Sequence, residues 1–458
     1  MFKMTAFKET IITGKNQLID YFKAGNKPEN QWGIGTENEK FLFRTADFNR
    51  LDYYSNPGIK VILEYLQQNG WMPVQEYGQL IGLTADGASI SLEPGGQFEL
   101  SGKNFRTVHE TYEETSRHFQ DIKVLCRQFG VFCLPMGFDP LWKRSDIPWM
   151  PKQRYRIMRD YMPKKGTLGQ DMMTRTATIQ VNLDYCNEQD MVDKMRIAQA
   201  IQPIVTALFA NSPFTEGKPN GYQSYRAHIW DDTDPDRCGF QDFIFDPDFS
   251  FERWVDYLLD VPMYFIVRDR NYIPLRGVTF RQFMSTKTNQ PTMEDWETHV
   301  STVFPDVRLK KYIEMRGADA SCQKHIAALA AFWVGLLYNE ESKQKTLDLI
   351  ANWPVKAMKD IRSQVPVKGL KAYNTEINVR EAAQQLIKLA AIGLTARAAK
   401  LNIDPENCYL EPLRLIIDSG QTQAERILDS YRTSYQSDLL KLIRDWQKRQ
   451  IESCPCEC

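Results

Sequence analysis

The chain has 458 residues, with 57 Lys+Arg against 58 Asp+Glu for a formal net charge of −1, and is 43% hydrophobic, 12% aromatic and 25% charged. This is ordinary globular composition, long enough for a large core. Balanced charge without a block of like charges lacks the field a nucleic-acid or acidic-membrane binder needs, so neither is expected as a partner.

Met1 to Lys8 has no apolar stretch of signal-peptide length. Nine cysteines, at 126, 133, 186, 238, 322, 408, 454, 456 and 458, show no framework spacing. Both features point to a cytoplasmic protein without a plastid-targeting segment. Period-two alternation predicts a strand over 33–43, where Glu37 and Glu39 share a face. A second strand, 88–101, carries Glu93, Gln97 and Glu99 at odd positions and must kink at Pro94-Gly95-Gly96. A helix follows over 107–129, with Val108, Tyr112, Phe119, Ile122 and Cys126 at helical spacing and His109 and His118 on its surface.

The segment 172–185 reads as a strand with Thr174, Thr176, Thr178, Gln180, Asn182 and Asp184 opposite Ala177, Ile179, Val181 and Leu183. Further helices are predicted over 189–211, 250–259, 322–338, 378–402 and 422–449, and strands over 262–268 and 307–316, the last pairing Glu314 with Arg316. The apolar run Ile326 to Tyr338 is about 13 residues, short of the ~20 that cross a bilayer, and reads as a core helix. Strands and helices mix without βαβ spacing, so the fold expected is α+β with a mainly antiparallel sheet, in one catalytic domain spanning 1–458 whose part from 340 to 458 supplies supporting helices. The tail Cys454-Pro455-Cys456-Glu457-Cys458 reads as a loose terminus.

If the strands share a sheet, Glu37, Glu39, Glu93, Glu99, Gln180 and Glu314 gather on one face with Arg316 nearby. A solvated sheet face would show similar alternation, but it more often mixes Lys and Thr among its acids. Carboxylates without paired His or Cys suit Mg²⁺ or Mn²⁺. Mg²⁺ completed by phosphate oxygens makes ATP the natural ligand, with Arg316 facing the transferred phosphoryl group. No G-x-x-x-x-G-K-[ST] loop is present, and Gly33-Ile34-Gly35 lacks the third glycine of a dinucleotide fingerprint.

These segments resemble the plant-type glutamate–cysteine ligases, a family related to glutamine synthetase. The resemblance lies in Gly35-Thr36-Glu37-Asn38-Glu39-Lys40-Phe41, in the stretch from Ser91 to Gly102, in Met172 to Asp184, in Phe209 to Phe214 and in Tyr312 to Asp319. It implies a funnel-shaped active site on a curved sheet, and ATP-dependent joining of the glutamate γ-carboxylate to the cysteine amine through γ-glutamyl phosphate. The implied substrates are glutamate, cysteine and ATP, with two or three Mg²⁺ (Mn²⁺ as substitute) in a monomer or homodimer. By position, Glu37, Glu39, Glu93, Glu99 and Glu314 match the metal carboxylates, Gln180 a catalytic amide or substrate contact, and Arg316 the arginine on the migrating phosphoryl. Arg226 matches a group for the glutamate α-carboxylate, the alternative being a surface-loop arginine paired to Asp231 or Asp232. Arg175 reads as a structural ion-pair residue, and Met136 to Pro140 with Trp142 as either cysteine-pocket lining or core. Many plant members carry a regulatory cysteine where this chain has Ala177, so regulation in that form is not expected, although Cys186 and Cys408 could pair instead. A family member using another amine acceptor would differ only in its acceptor pocket. Replacing Glu37 or Glu314 by Gln is expected to abolish turnover and spare the fold.

Overall fold

The computed structural model describes residues 10–275, 277–286 and 290–452. Met1 to Lys8 and the tail cysteines 454, 456 and 458 lie outside them. Among the described residues one sheet is built from nine strands: β1 (Ile34–Arg44), β2 (Met72–Glu76), β3 (Gln79–Ala85), β4 (Ala88–Leu92), β5 (Phe98–Ser101), β6 (Val131–Leu134), β7 (Thr178–Leu183), β8 (Val307–Leu309) and β9 (Ile313–Asp319). Their order is β8-β9-β7-β1-β5-β4-β3-β2, with β6 on the far half of β1, and all neighbours run antiparallel. The α+β fold with a mainly antiparallel sheet is therefore observed.

The helices that frame the sheet are α1 (Val108–Phe129), α2 (Gln153–Tyr161), α3 (Gly169–Arg175), α4 (Glu188–Leu208), α5 (Tyr225–Asp231), α6 (Gln323–Leu337) and α7 (Val379–Leu401). Local chemistry sets their ends. Thr107 and Glu110 form a reciprocal capping box at the start of α1, and Gly130, at φ 61°, closes it in the left-handed conformation. Chain after residue 340 is helical, through Glu340–Ile350, Val355–Lys368, α7, Glu411–Ser419, Gln423–Thr433 and Leu439–Glu452. No helix among the described residues is long and apolar enough to cross a membrane.

Four expected elements differ in extent. The strand predicted over 172–185 begins only at Thr178, because the hydroxyls of Thr174 and Thr176 donate to the carbonyls of Gln170 and Met172 and stabilise α3. The span 307–316 is a hairpin of two strands rather than one. The 88–101 segment divides into β4 and β5 at the anticipated kink, where Gly96 takes φ 78° and its N–H donates to the Glu93 carbonyl at 2.8 Å. The 422–449 helix breaks at Gln436 and Ser437, both at positive φ.

One face of β7 and β9, through Ile179, Val181, Leu183, Ile313 and Met315, packs on α4 and α6 in the main core. The opposite face carries the acidic residues. Behind the site, α6 and α7 cross where two glycines meet: a Cβ on Gly393 would lie 1.8 Å from the Gly335 carbonyl oxygen. That contact leaves no room for a methyl group. Gly393→Ala should therefore destabilise the protein by about 1–3 kcal/mol through overpacking, read as a lower midpoint in urea with an unchanged slope.

Candidate active site

β1 is the spine of the site. Its Glu39 lies opposite Glu99 of β5, and its Glu37 lies between Gln180 of β7 and Ser101 of β5, so both neighbours contribute to one face. The Glu37 carboxylate accepts from the Asn182 amide at 3.0 Å, Glu39 from the Thr178 backbone N–H at 3.0 Å, and Glu99 from the Ser91 hydroxyl at 2.5 Å. Glu93 follows β4 at the turn and is half-buried. These hydrogen bonds do not offset the crowding. Burial first, then Glu314 and Glu99, push the Glu37 carboxyl up to about 7. Burial followed by Glu93 and Glu99 holds Glu39 well above the usual carboxylate range, and burial with Glu93 raises Glu99. Glu37 and Glu39 are half-buried, so each still keeps part of its surface open.

Glu314 is in a different situation. Across the β8–β9 hairpin it faces Arg308, whose Nε donates to Oε2 at 2.6 Å, and it also receives Lys310 at 3.1 Å and Arg316 at 2.8 Å. Burial alone would raise its carboxyl, but Arg308, Lys310 and Arg316 hold it well below the usual range. Glu314, expected among the metal carboxylates, is fully buried and accepts from three cations. Lys152 at the start of α2, and Arg154 within it, also act on the Glu93–Glu99 end of the face.

Arg316 shares the face of Glu314 by strand parity and sits at a bulge in β9 between Met315 and Ala318. Its guanidinium donates to Gln180 Oε1 at 2.7 Å as well as to Glu314, so Gln180 and Arg316 do come together. Arg226 is not on a surface loop. It is buried in α5, and its Nη2 donates to the Arg316 backbone carbonyl at 2.9 Å, while Asp231 is taken by Arg362 and Asp232 accepts from Thr167. Arg175 pairs with Asp171 and Glu216, the structural ion pair expected of it.

The aromatic segment after residue 136 is core: Phe138 is fully buried against Tyr225, and Asp139 pairs with Arg50 at 2.6 Å. His118 does not decorate the helix surface but lies buried 2.9 Å from Lys40, behind β1. Cys186 and Cys408 carry free thiols and do not pair. Sequence reasoning overlooked Arg308 and Lys310, although their alternation within 307–316 matches the parity of Glu314 and could have shown them. Among the described residues no three His, Cys, Asp or Glu side chains converge tightly enough to ligate one metal ion by themselves.

An antiparallel sheet that sets under-neutralised carboxylates beside the buried Arg226 and the half-buried Arg316 defines a class: enzymes that handle anionic substrates through cations. The chain belongs to glutamate–cysteine ligase family 2, whose model matches residues 33–448. It is 48% identical over 428 residues to glutamate–cysteine ligase B, chloroplastic, of Oryza sativa subsp. japonica, covering 92% of this chain and 85% of that one. It is 47% identical over 422 residues to the chloroplastic glutamate–cysteine ligase of Arabidopsis thaliana, covering 91% and 80%. A crystal structure of glutamate–cysteine ligase from Francisella tularensis in complex with AMP shares the fold, with TM-score 0.58 and 14% identity over 93% of this chain and 89% of that one. The curated relatives are named chloroplastic, which overturns the cytoplasmic expectation.

The two ends of the acidic face respond oppositely to neutralisation. Glu314→Gln leaves the buried Arg308 short of its counter-charge and should cost about 3 kcal/mol, contrary to the expectation of an intact fold. Glu37→Gln removes repulsion and should leave stability unchanged or higher, as thermal melts of the two variants will show. A carboxyl at about 7 in the fold, against 4.5 for an ordinary glutamate, keeps a proton that the unfolded chain has lost between those values. Stability without divalent cations should therefore fall as pH rises from roughly 4.5 to 7 and then level, and Glu37→Gln should flatten that slope.

Proposed function

We propose that the protein joins the γ-carboxylate of glutamate to the amine of cysteine, with cleavage of ATP to ADP and phosphate, the first step of glutathione synthesis. A carboxylate oxygen does not leave at neutral pH, so the γ-carboxylate first takes the terminal phosphoryl group of ATP. The cysteine amine then attacks the carbonyl carbon of γ-glutamyl phosphate, phosphate departs and the amine loses a proton. Catalysis of this kind is mainly positioning and charge neutralisation, because two amino acids and a triphosphate bring many negative charges together.

Each residue has a part in that task. Arg316, held by Glu314 and Gln180, faces the migrating phosphoryl group. Glu314 sets the direction of Arg316, and Gln180 fixes the same guanidinium from the neighbouring strand. Arg226, braced against the Arg316 backbone, takes the glutamate α-carboxylate. Glu37, Glu39, Glu93 and Glu99 fit Mg²⁺ or Mn²⁺, because their carboxylates crowd together and the cations near them do not offset burial and repulsion. Mg²⁺ held by one or two carboxylates usually draws its other ligands from water and phosphate, and when bound it would screen the triphosphate. The whole of 1–458 acts as one catalytic domain, with the helices after residue 340 as its support.

The support for this function is the acidic wall itself, in which burial and mutual repulsion raise three carboxylates beside the buried Arg226 and the half-buried Arg316. Phosphate release should require glutamate, cysteine and ATP together, and other amines in place of cysteine should be poor substrates. Equal rates with unrelated amines would remove the cysteine assignment. Arg316→Lys should lower kcat about 100-fold, since a point-charge ammonium cannot hold Gln180, Glu314 and a phosphoryl group through one planar fork.

A further inference from the structure

We infer that Gln202 reads the α-ammonium group of the amino-acid substrate, while Arg226 and the Trp230 indole hold its α-carboxylate; this rests on the ligase function proposed above. A cleft beside β9 is lined by Gln202, Thr206, Arg226, Trp230, Phe304 and Arg316. Gln202, on α4, is only 2% exposed and Arg226 only 3%. Yet Gln202 Nε2 and Oε1, Arg226 Nε and Trp230 Nε1 all lack a hydrogen-bond partner. Buried polar groups are nearly always paired, and four unpaired atoms around one cleft are the imprint of a polar ligand.

The chemistry of the four atoms specifies that ligand. Arg226 Nε–H and Trp230 Nε1–H are donors only, which suits a carboxylate, and Arg226 adds positive charge. Gln202 Oε1 is the acceptor among them and suits an ammonium group. Asp231 and Asp306 border the same cleft but are committed to Arg362, at 2.5 Å for Asp231 and at 2.6 and 3.1 Å for Asp306. An α-amino acid carries the carboxylate and ammonium on one carbon, and therefore meets both demands at once. Gln202 comes this close to β9 because Gly317 has no side chain: a Cβ there would lie 2.2 Å from the Gln202 amide nitrogen. Arg316 and Gly317 both lie within the bulge between Met315 and Ala318, so phosphoryl and amino-acid recognition share one irregularity.

The test compares glutamate with glutarate, which keeps both carboxylates and lacks the amine, in ATP-dependent phosphate release at saturating cysteine. A site built to pair the ammonium should favour glutamate in the wild type by about 1000-fold in kcat/KM. Gln202→Leu should lower kcat/KM for glutamate about 30-fold and leave glutarate within about threefold, with KM for ATP unchanged. Gly317→Ala, which displaces the amide, should shift the ratio the same way, and Gln202→Glu, which keeps an acceptor, should retain the preference for glutamate. Should Gln202→Leu fail to fold, the latter two variants decide. A glutamate-to-glutarate ratio unchanged in Gln202→Leu, or in Gly317→Ala where that variant decides, overturns the role of Gln202. If wild-type protein releases no phosphate with glutamate and cysteine, the ligase function itself fails instead.

Discussion

Carboxylates that share a poorly solvated surface must be matched by positive charge, and this sheet distributes that charge unevenly. At the β8–β9 hairpin a single glutamate, Glu314, receives Arg308, Lys310 and Arg316. Across β1 and β5, Glu37, Glu39 and Glu99 face one another, and neither their hydrogen bonds nor the pull of Lys310, Arg226, Lys152 and Arg154 offsets burial and mutual repulsion. One surface thus has an end where negative charge is left in excess and an end where cations are already organised. Dications and polyphosphate suit the first, and a migrating phosphoryl group and an amino-acid carboxylate suit the second.

Such a charge pattern holds its shape only on a rigid support. The apolar face of β7 and β9 is cemented to α4 and α6, and α6 in turn is locked against α7 through contact between glycine backbones. Behind β1 the support changes character: Lys40 and His118 meet in a buried polar layer rather than a hydrocarbon one. Burial, with a weaker opposing pull from Cys133, Glu99 and Glu39, brings the Lys40 ammonium down to about 8. The charge under the sheet is therefore sensitive to the acids on its other face.

Much of this was legible in the chain because parity is a strong constraint. Glu37 and Glu39 had to share a face once β1 was a strand, Pro94-Gly95-Gly96 had to interrupt its own strand, and Ile326 to Tyr338 had to be core. What was not legible depends on contacts between distant segments. Thr174 and Thr176 fit a strand by alternation, but their hydroxyls found helical carbonyls. Arg226 belonged to a stretch that reads as a loop, and only the packing of α5 buries it. That the Gln202 side-chain amide is unpaired is a property of the assembled cleft, invisible in the helix sequence.

The bulge in β9 also has a bearing on how this chain tolerates change in length. Beyond it lies Asp319, whose carboxylate accepts from the Asn211 N–H at 2.8 Å and from the hydroxyls of Ser212 at 2.6 Å and Ser224 at 2.8 Å, tying the strand to the start of α5. The bulge absorbs one extra residue at 316–317, so that Ala318 and Asp319 still pair with Ile179 and Thr178. A residue gained or lost beyond it, before Asp319, would slip that pairing and turn the Asp319 carboxylate away from its three donors. Changes in chain length can thus be taken up at the irregularity itself and are barred immediately after it.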